Sequence, residues 1–215
     1  MDGNRRWARE RGLPTLEGHL RGYRKLKNVM SWAKEAGVPH LIFYTFSTEN
    51  WNRSKEEVGY LMKLFETAFA NEIDEIKKKG IRLRFIGQRE RFSEKLQAAM
   101  ARAERDTAEN TEGTVAFALS YGGRQEIIEA ANALLKEGKK QTDEAAFGEH
   151  LWSAGIPDPD IIIRPGGEKR LSNFLPWQSV YSELFFSDTY WPDFSKEEFL
   201  GILKEYGERG RRRGK

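Results

Sequence analysis

Apolar residues along the chain switch between two periods, and the switches mark alternating helices and strands. Over residues 17 to 36, Leu20, Tyr23, Leu26, Val29 and Ala33 recur at helical spacing, and Gly37 follows as the expected C-terminal cap. The continuous apolar run from Leu41 to Phe46 reads as a buried strand. Ser54 followed by Glu57 is a capping-box pattern that opens a long helix over 55–79, with Val58, Leu61, Met62, Phe65, Phe69, Ile73 and Ile76 on or near one face and Gly80 as its stop. Strands at 81–86, 114–119 and 160–163 alternate with helices at 93–109, 124–137 and 143–152, and Ser195 with Glu198 caps a last helix. Strands separated by helices need crossovers, which predicts an α/β fold with a mostly parallel central sheet flanked by helices. The 215 residues fit one domain, 1–215, in which 209–215 forms a basic C-terminal tail.

Such a sheet places its ligand outside the carboxyl ends of its strands. There the sequence carries Ser47-Thr48-Glu49-Asn50-Trp51-Asn52-Arg53, then Ser120-Tyr121-Gly122-Gly123-Arg124, then Arg164-Pro165-Gly166-Gly167-Glu168-Lys169-Arg170-Leu171-Ser172-Asn173. Glycine pairs let backbone N–H groups approach an anion, and arginine offers a planar fork for phosphate oxygens. Arg164, Arg170 and Ser172 therefore look like a diphosphate clamp, and repetition at three strand ends on one rim strengthens that reading over isolated Gly-rich turns. The opening Met1-Asp2-Gly3-Asn4-Arg5-Arg6-Trp7-Ala8 sets a carboxylate beside two arginines. That combination suits Mg²⁺, which takes one or two carboxylates together with substrate phosphates. Glu183 is the candidate second carboxylate, although a Glu beside an aromatic run equally caps a strand. His19 reads as a core or helix-surface residue on this ground alone.

Composition narrows the classes further. With no Cys there is neither a disulfide framework nor a thiolate site, and only three His remain. The longest apolar runs are a handful of residues and mean hydropathy is -0.71, so no membrane span is expected. The pI of about 9.0 invites a nucleic-acid reading, but 36 Lys+Arg against 33 Asp+Glu give a net charge of +3 spread over a mixed surface, and no nucleic-acid partner is expected. Walker A, GxGxxG and HExxH patterns are absent, which weakens ATPase, dinucleotide and zincin readings.

The ordered blocks together resemble the cis-prenyltransferases, the undecaprenyl diphosphate synthases and their relatives. The resemblance covers essentially the whole chain: the Met1–Ala8 block, Gly18-His19, Phe46 to Arg53, Tyr121 to Arg124, Ile163 to Phe174, Trp177-Gln178, Tyr181-Ser182-Glu183 and Trp191-Pro192-Asp193-Phe194. It implies an enzyme that condenses isopentenyl diphosphate onto an allylic diphosphate such as farnesyl diphosphate, forming cis double bonds with Mg²⁺. By matched position, Asp2 handles Mg²⁺ at the allylic diphosphate, and Gly3, Asn4, Arg5, Arg6 and Trp7 belong to the loop and helix start that cradle it. His19 and Arg53 contact or assist that diphosphate, Arg164, Arg170 and Ser172 clamp isopentenyl diphosphate, and Glu183 is a second acidic residue near the metal. Ser47, Glu49, Asn50 and Trp51 sit in the loop that closes over and orients the substrates, with Asn50 joining Asp2 and His19 as catalytic. Phe65, Phe69 and Thr45 are candidate lining of a hydrophobic tunnel, or ordinary core. The resemblance further implies a homodimer with an Arg-x-Gly tail matched by Arg212-Arg213-Gly214, a cytoplasmic location, and transient membrane contact when product leaves.

Four departures temper this. The family has a buried strand ahead of the Asp2 loop, and this sequence starts at Met1, so that strand is expected to be missing, with residues upstream of Met1 as the explanation. Thr15 stands where many members place arginine, Pro165 replaces a small hydroxyl residue, and Lys169 replaces a histidine found in some bacterial members. These keep a second reading in view, a catalytically weak or inactive subunit of a heteromeric prenyltransferase.

Overall fold

The computed structural model describes residues 1–209. The chain forms two compact units, one made of Met1–Pro39, Asp158–Leu171 and the chain from Gln178 onward, the other of His40–Pro157 and Ser172–Trp177.

The second unit carries the larger sheet. Strands β1 (His40–Ser47), β2 (Ile81–Ile86) and β3 (Gly113–Tyr121) lie in the order β1-β3-β2, and both pairings are parallel. The central strand β3 is buried without interruption from Val115 to Tyr121, which is why its sequence is a continuous apolar run rather than an alternating one. The crossovers run through α3 (Lys55–Lys78) and α4 (Glu94–Asp106), whose N-terminal amides are capped by the Ser54 and Ser93 hydroxyls. Phe65 and Phe69 extend the aromatic packing of the sheet: Phe69 meets Phe85 edge-on at 4.8 Å, and Phe117 stacks between Phe43 at 6.0 Å and Phe85 at 5.8 Å. Helix α5 (Gly123–Lys136) follows β3 directly.

The helix expected over 143–152 is shorter. Asp143 caps it, but α6 (Glu144–Gly148) ends at Gly148, and the chain then turns so that the Ser153 amide donates to Glu126 Oε1 at 3.1 Å. Glu126 is fully buried and also accepts the Tyr121 hydroxyl at 2.5 Å. Satisfying that carboxylate outweighs continuing the helix.

In the first unit, α1 (Asn4–Glu10) packs on α2 (Thr15–Glu35). Gly18 and Gly22, one turn apart on α2, make the groove that receives Asn4: a Cβ on Gly18 would strike the Asn4 carbonyl oxygen, and one on Gly22 would strike the Asn4 side chain. Strand β4 (Ile161–Pro165) pairs in parallel with β5 (Glu183–Ser187), a five-residue strand that periodicity is too short to reveal. Helix α7 (Lys196–Glu208) is capped by Ser195 as the sequence predicts.

One expectation changes. The three strand ends do not share one sheet, because β4 hydrogen-bonds to β5 in a separate two-stranded sheet, while β1 and β3 are neighbours in the larger one. Among the described residues no helix is long and apolar enough to cross a membrane.

The glycine contacts generate a paired prediction. Gly18→Ala should destabilise the fold by about 1–3 kcal/mol through overpacking. Gly59→Ala, in α3 with nothing within 4 Å of its new Cβ, should stabilise it by up to about 1 kcal/mol through helix propensity. Denaturant titration of both variants checks this, and equal midpoints would contradict it.

Candidate active site

The first unit gathers a ring of opposite charges around Asp2. Arg164, at the end of β4, donates from Nη2 to Asp2 Oδ2 at 2.9 Å, and the Gly3 amide donates to Asp2 Oδ1 at 2.6 Å. Arg6, one turn along α1, lies 3.3 Å from Asp2 and 3.6 Å from Glu168. Glu168 in turn accepts from Arg170 at 2.5 Å, and Arg164 Nη1 donates to the Arg170 carbonyl. Three guanidinium groups and two carboxylates thus close on one another. Burial opposes ionisation of Asp2, but the hydrogen bonds from Arg164 and Gly3, with the charges of Arg164 and Arg6, hold its carboxyl below the usual carboxylate range.

The backbone makes this approach possible. Gly166 adopts φ 104, and a Cβ there would press on Asp2 and on the Arg6 guanidinium. The Gly166 and Gly167 amides, however, donate to the carbonyls of Thr189 and Ser187. Gly122 and Gly123 in the second unit behave alike: a Cβ on either would run into Asn173 or Pro176, while the Gly123 and Arg124 amides donate to the Asn173 carbonyl and Oδ1 at 2.8 and 2.9 Å. The Gly166, Gly167 and Gly123 amides are thus engaged within the chain itself.

Other residues expected in the first unit divide by role. Arg5 is exposed, whereas His19 is buried on α2. Trp7 is buried in the core and donates its indole N–H to Asp193 at 2.8 Å, with the Arg11 guanidinium stacked 4.6 Å from its ring. Glu183 opens β5 and accepts from Arg209 at 2.6 Å. Among the described residues no group of three or more His, Cys, Asp or Glu is arranged to hold a metal ion. A Mg²⁺ ion that keeps waters and shares substrate phosphates needs only one or two carboxylates, and the ionised, part-exposed Asp2 fits that requirement.

In the second unit, Ser47–Arg53 is a compact cassette. Ser47 caps a 3-10 turn over Thr48–Asn52, its hydroxyl accepting from the Asn50 amide while Asn50 Oδ1 accepts from the Ser47 amide at 3.1 Å. Trp51 donates its indole N–H to Ser120 Oγ at 2.9 Å, and Arg53 pairs with the buried Glu57 at 3.1 Å. Burial opposes ionisation of Glu49, but hydrogen bonds from its own amide, Ser47, Asn173 and Thr48 keep its carboxyl below the usual range. Ser172 is exposed, with φ 50, and its carbonyl accepts the Tyr44 hydroxyl at 3.3 Å. The Arg212-Arg213-Gly214 tail lies outside the described residues.

Sequence reasoning gave Glu168, Asp193 and Arg209 no role. Glu168 stands inside a quoted block, but carboxylates are common on surfaces, and only the fold brings it against Arg6 and Arg170.

The Asp2 pairing carries a pH signature. Because folding lowers the Asp2 carboxyl below its ordinary value of 3.8, the pair stabilises the fold fully above that value and loses its contribution as pH falls through the lower folded-state value. Measured against Asp2→Asn, the stability advantage of the native residue should be constant from pH 7 to about pH 4 and shrink below it. An advantage unchanged at pH 2 would contradict the pairing.

Known proteins resemble this chain along its whole length. The undecaprenyl diphosphate synthase family profile matches residues 1–214. The isoprenyl transferase of Thermotoga maritima is 45% identical over 218 residues, covering 100% of this chain and 94% of the relative. That of Listeria monocytogenes is 46% identical over 220 residues, covering 100% and 87%. Among solved structures, lavandulyl diphosphate synthase from Lavandula x intermedia in complex with dimethylallyl diphosphate superposes with a TM-score of 0.94 at 36% identity, covering 100% of this chain and 95% of that one. With a family match across nearly every residue and an isoprenyl transferase at 45% identity, the chain belongs to the undecaprenyl diphosphate synthase family of prenyl transferases, the cis-prenyltransferases.

Proposed function

We propose that this protein condenses isopentenyl diphosphate onto an allylic diphosphate such as farnesyl diphosphate, with Mg²⁺, to make a cis-polyprenyl diphosphate. The observation that carries the reading is the charge ring of the first unit, in which Arg6, Arg164 and Arg170 are held by Asp2 and Glu168. Diphosphate oxygens are stronger, more highly charged acceptors than carboxylates, and bidentate guanidinium contacts suit them. The likeness to a synthase that binds dimethylallyl diphosphate supports an allylic diphosphate as one ligand.

In this reaction the allylic carbon–oxygen bond breaks and the electron pair leaves with the diphosphate. The isopentenyl double bond supplies the pair for the new carbon–carbon bond, and a proton is then lost from the carbon beside the cation to set the new alkene. Arg6 is preorganised to stabilise the charge that grows on the departing allylic diphosphate, while Arg164 and Arg170 hold isopentenyl diphosphate for attack. Bound Mg²⁺, held by Asp2 and substrate oxygens, would neutralise the departing diphosphate further. Ser47 and Asn50 are tied to each other's backbone, so we assign them to orientation and assign the proton to a diphosphate oxygen. Arg53, Glu49 and His19 complete the substrate-binding set, and Phe65 and Phe69 belong to the apolar surface that we assign to the growing chain. A homodimer in the cytoplasm, releasing its lipid product to a membrane, completes the reading.

The test is incubation with labelled isopentenyl diphosphate and farnesyl diphosphate, with and without Mg²⁺, resolving products by chain length. Mg²⁺-dependent elongation is expected, with Asp2→Ala lowering kcat by roughly 10²–10³-fold. Arg170→Ala should act chiefly on KM for isopentenyl diphosphate. Absence of product from the unaltered chain, with diphosphates still bound, would replace the proposal with a non-catalytic subunit.

A further inference from the structure

We propose that Ser120 and Gln88 are positioning residues that act through Trp51 to fix the Ser47–Arg53 cassette, an inference that rests on the prenyl-transfer reading of that cassette.

The parallel ladder between β1 and β3 loses register at its carboxyl end. Tyr44 lies opposite Ala118, Phe46 opposite Leu119 and Ser47 opposite Tyr121, so Thr45 and Ser120 are each passed over. A bulge of this kind re-aims the side chain it releases. Ser120 is fully buried and adopts φ 49, the left-handed region that residues bearing a Cβ enter at a cost. Its backbone is clamped there from one side. The Gln88 amide donates to the Ser120 carbonyl at 3.2 Å, and Gly87, with φ 120, lies so close that a Cβ on it would strike the Leu119 carbonyl oxygen.

This strained backbone presents one hydroxyl. Ser120 Oγ accepts the Trp51 indole N–H at 2.9 Å and donates to Gln88 Oε1 at 3.4 Å. A hydroxyl has one proton and two lone pairs, so donation to Gln88 leaves the lone pairs for the indole. The Trp51 ring is gripped on its other sides by Phe46 at 4.9 Å, Phe92 at 5.5 Å and the Arg91 guanidinium at 4.8 Å. Trp51 sits between Asn50 and Arg53 within the 3-10 turn, so fixing the orientation of the indole fixes the rotation of that turn. The Ser47–Asn50 cap then holds the start of the cassette, and the indole holds its middle. A half-buried tryptophan finds an acceptor for its N–H, but it does not need one supplied by a buried left-handed serine at the end of the strand next to the cassette. The strain is accounted for by placing this hydroxyl at this point.

The substitutions separate hydroxyl from backbone. Ser120→Gly tolerates φ 49 and removes the hydroxyl with both its hydrogen bonds, and Trp51→Phe removes the indole donor and part of the ring while keeping an aromatic in place. Each single variant should lower kcat/KM for the allylic diphosphate by about tenfold, the size of one well-placed hydrogen bond. The double variant should fall no more than about twofold below Trp51→Phe alone, and Gln88→Ala should cost less than Ser120→Gly and nothing further in its background. Losses that multiply in the double variant, or wild-type kinetics in Ser120→Gly, would overturn the proposal. Hydrogen exchange of the 47–53 amides, measured without substrate, provides a readout independent of turnover. Exchange there should quicken in Ser120→Gly with the central β3 amides unchanged, and equal exchange would overturn the pinning. Lack of prenyl transfer by the unaltered chain overturns the activity assignment instead, and the exchange measurement still decides whether Ser120 holds the cassette.

Discussion

A carboxylate that must stay ionised among guanidinium groups sets the terms for the first unit. Asp2 lies partly out of water, where a lone negative charge would be costly, and it is kept ionised by Arg164, Arg6 and the Gly3 amide. The arginines are in the same position, since each of the three finds a carboxylate within the ring. Surrounding sequence choices serve this closure. Gly166 leaves room for Asp2 and Arg6, and Gly18 and Gly22 let α1 settle onto α2 through Asn4. The Trp191 amide fastens the Asp2 carbonyl at 2.9 Å, and Trp7 anchors the same helix on Asp193.

An arrangement of this kind is poised for exchange. If a diphosphate binds as proposed, it takes over contacts the carboxylates now make, and arginine side chains already ordered by Asp2 and Glu168 lose less rotamer freedom on binding it. The glycine pairs, which look like phosphate cradles in the sequence, hold chain against chain instead, with the Gly166, Gly167 and Gly123 amides committed to Thr189, Ser187 and Asn173. In the proposed reaction, binding therefore rests on side chains rather than on a backbone nest, and the individual arginines are its sensitive positions.

Much of the fold was legible because its signals are local. Ser54, Ser93, Asp143 and Ser195 cap the helices that hydrophobic periodicity placed, and the long apolar face of α3 and the uninterrupted run of β3 announced themselves by period and length. The misses were non-local. Strand β5 is too short to show a period, the chain after α6 turns to a buried carboxylate 27 positions from Ser153, and the pairing of β4 with β5 depends on segments far apart in sequence. Asp2, Arg6, Arg164 and Arg170, singled out in the sequence by residue type and pattern, are brought together by the fold. Their carboxylate partner Glu168 and the Ser120 hydroxyl beneath Trp51 were not, because nothing in their own neighbourhood distinguishes them from surface or core residues.

The most direct measurement is calorimetric titration of isopentenyl diphosphate into the unaltered chain and into Arg164→Gln, with thermal unfolding followed alongside. The account predicts at least about a tenfold loss of affinity in the variant, the equivalent of losing one charge-assisted contact, while the fold is retained. Unchanged affinity in a folded variant would contradict the assignment of the charge ring as a diphosphate clamp.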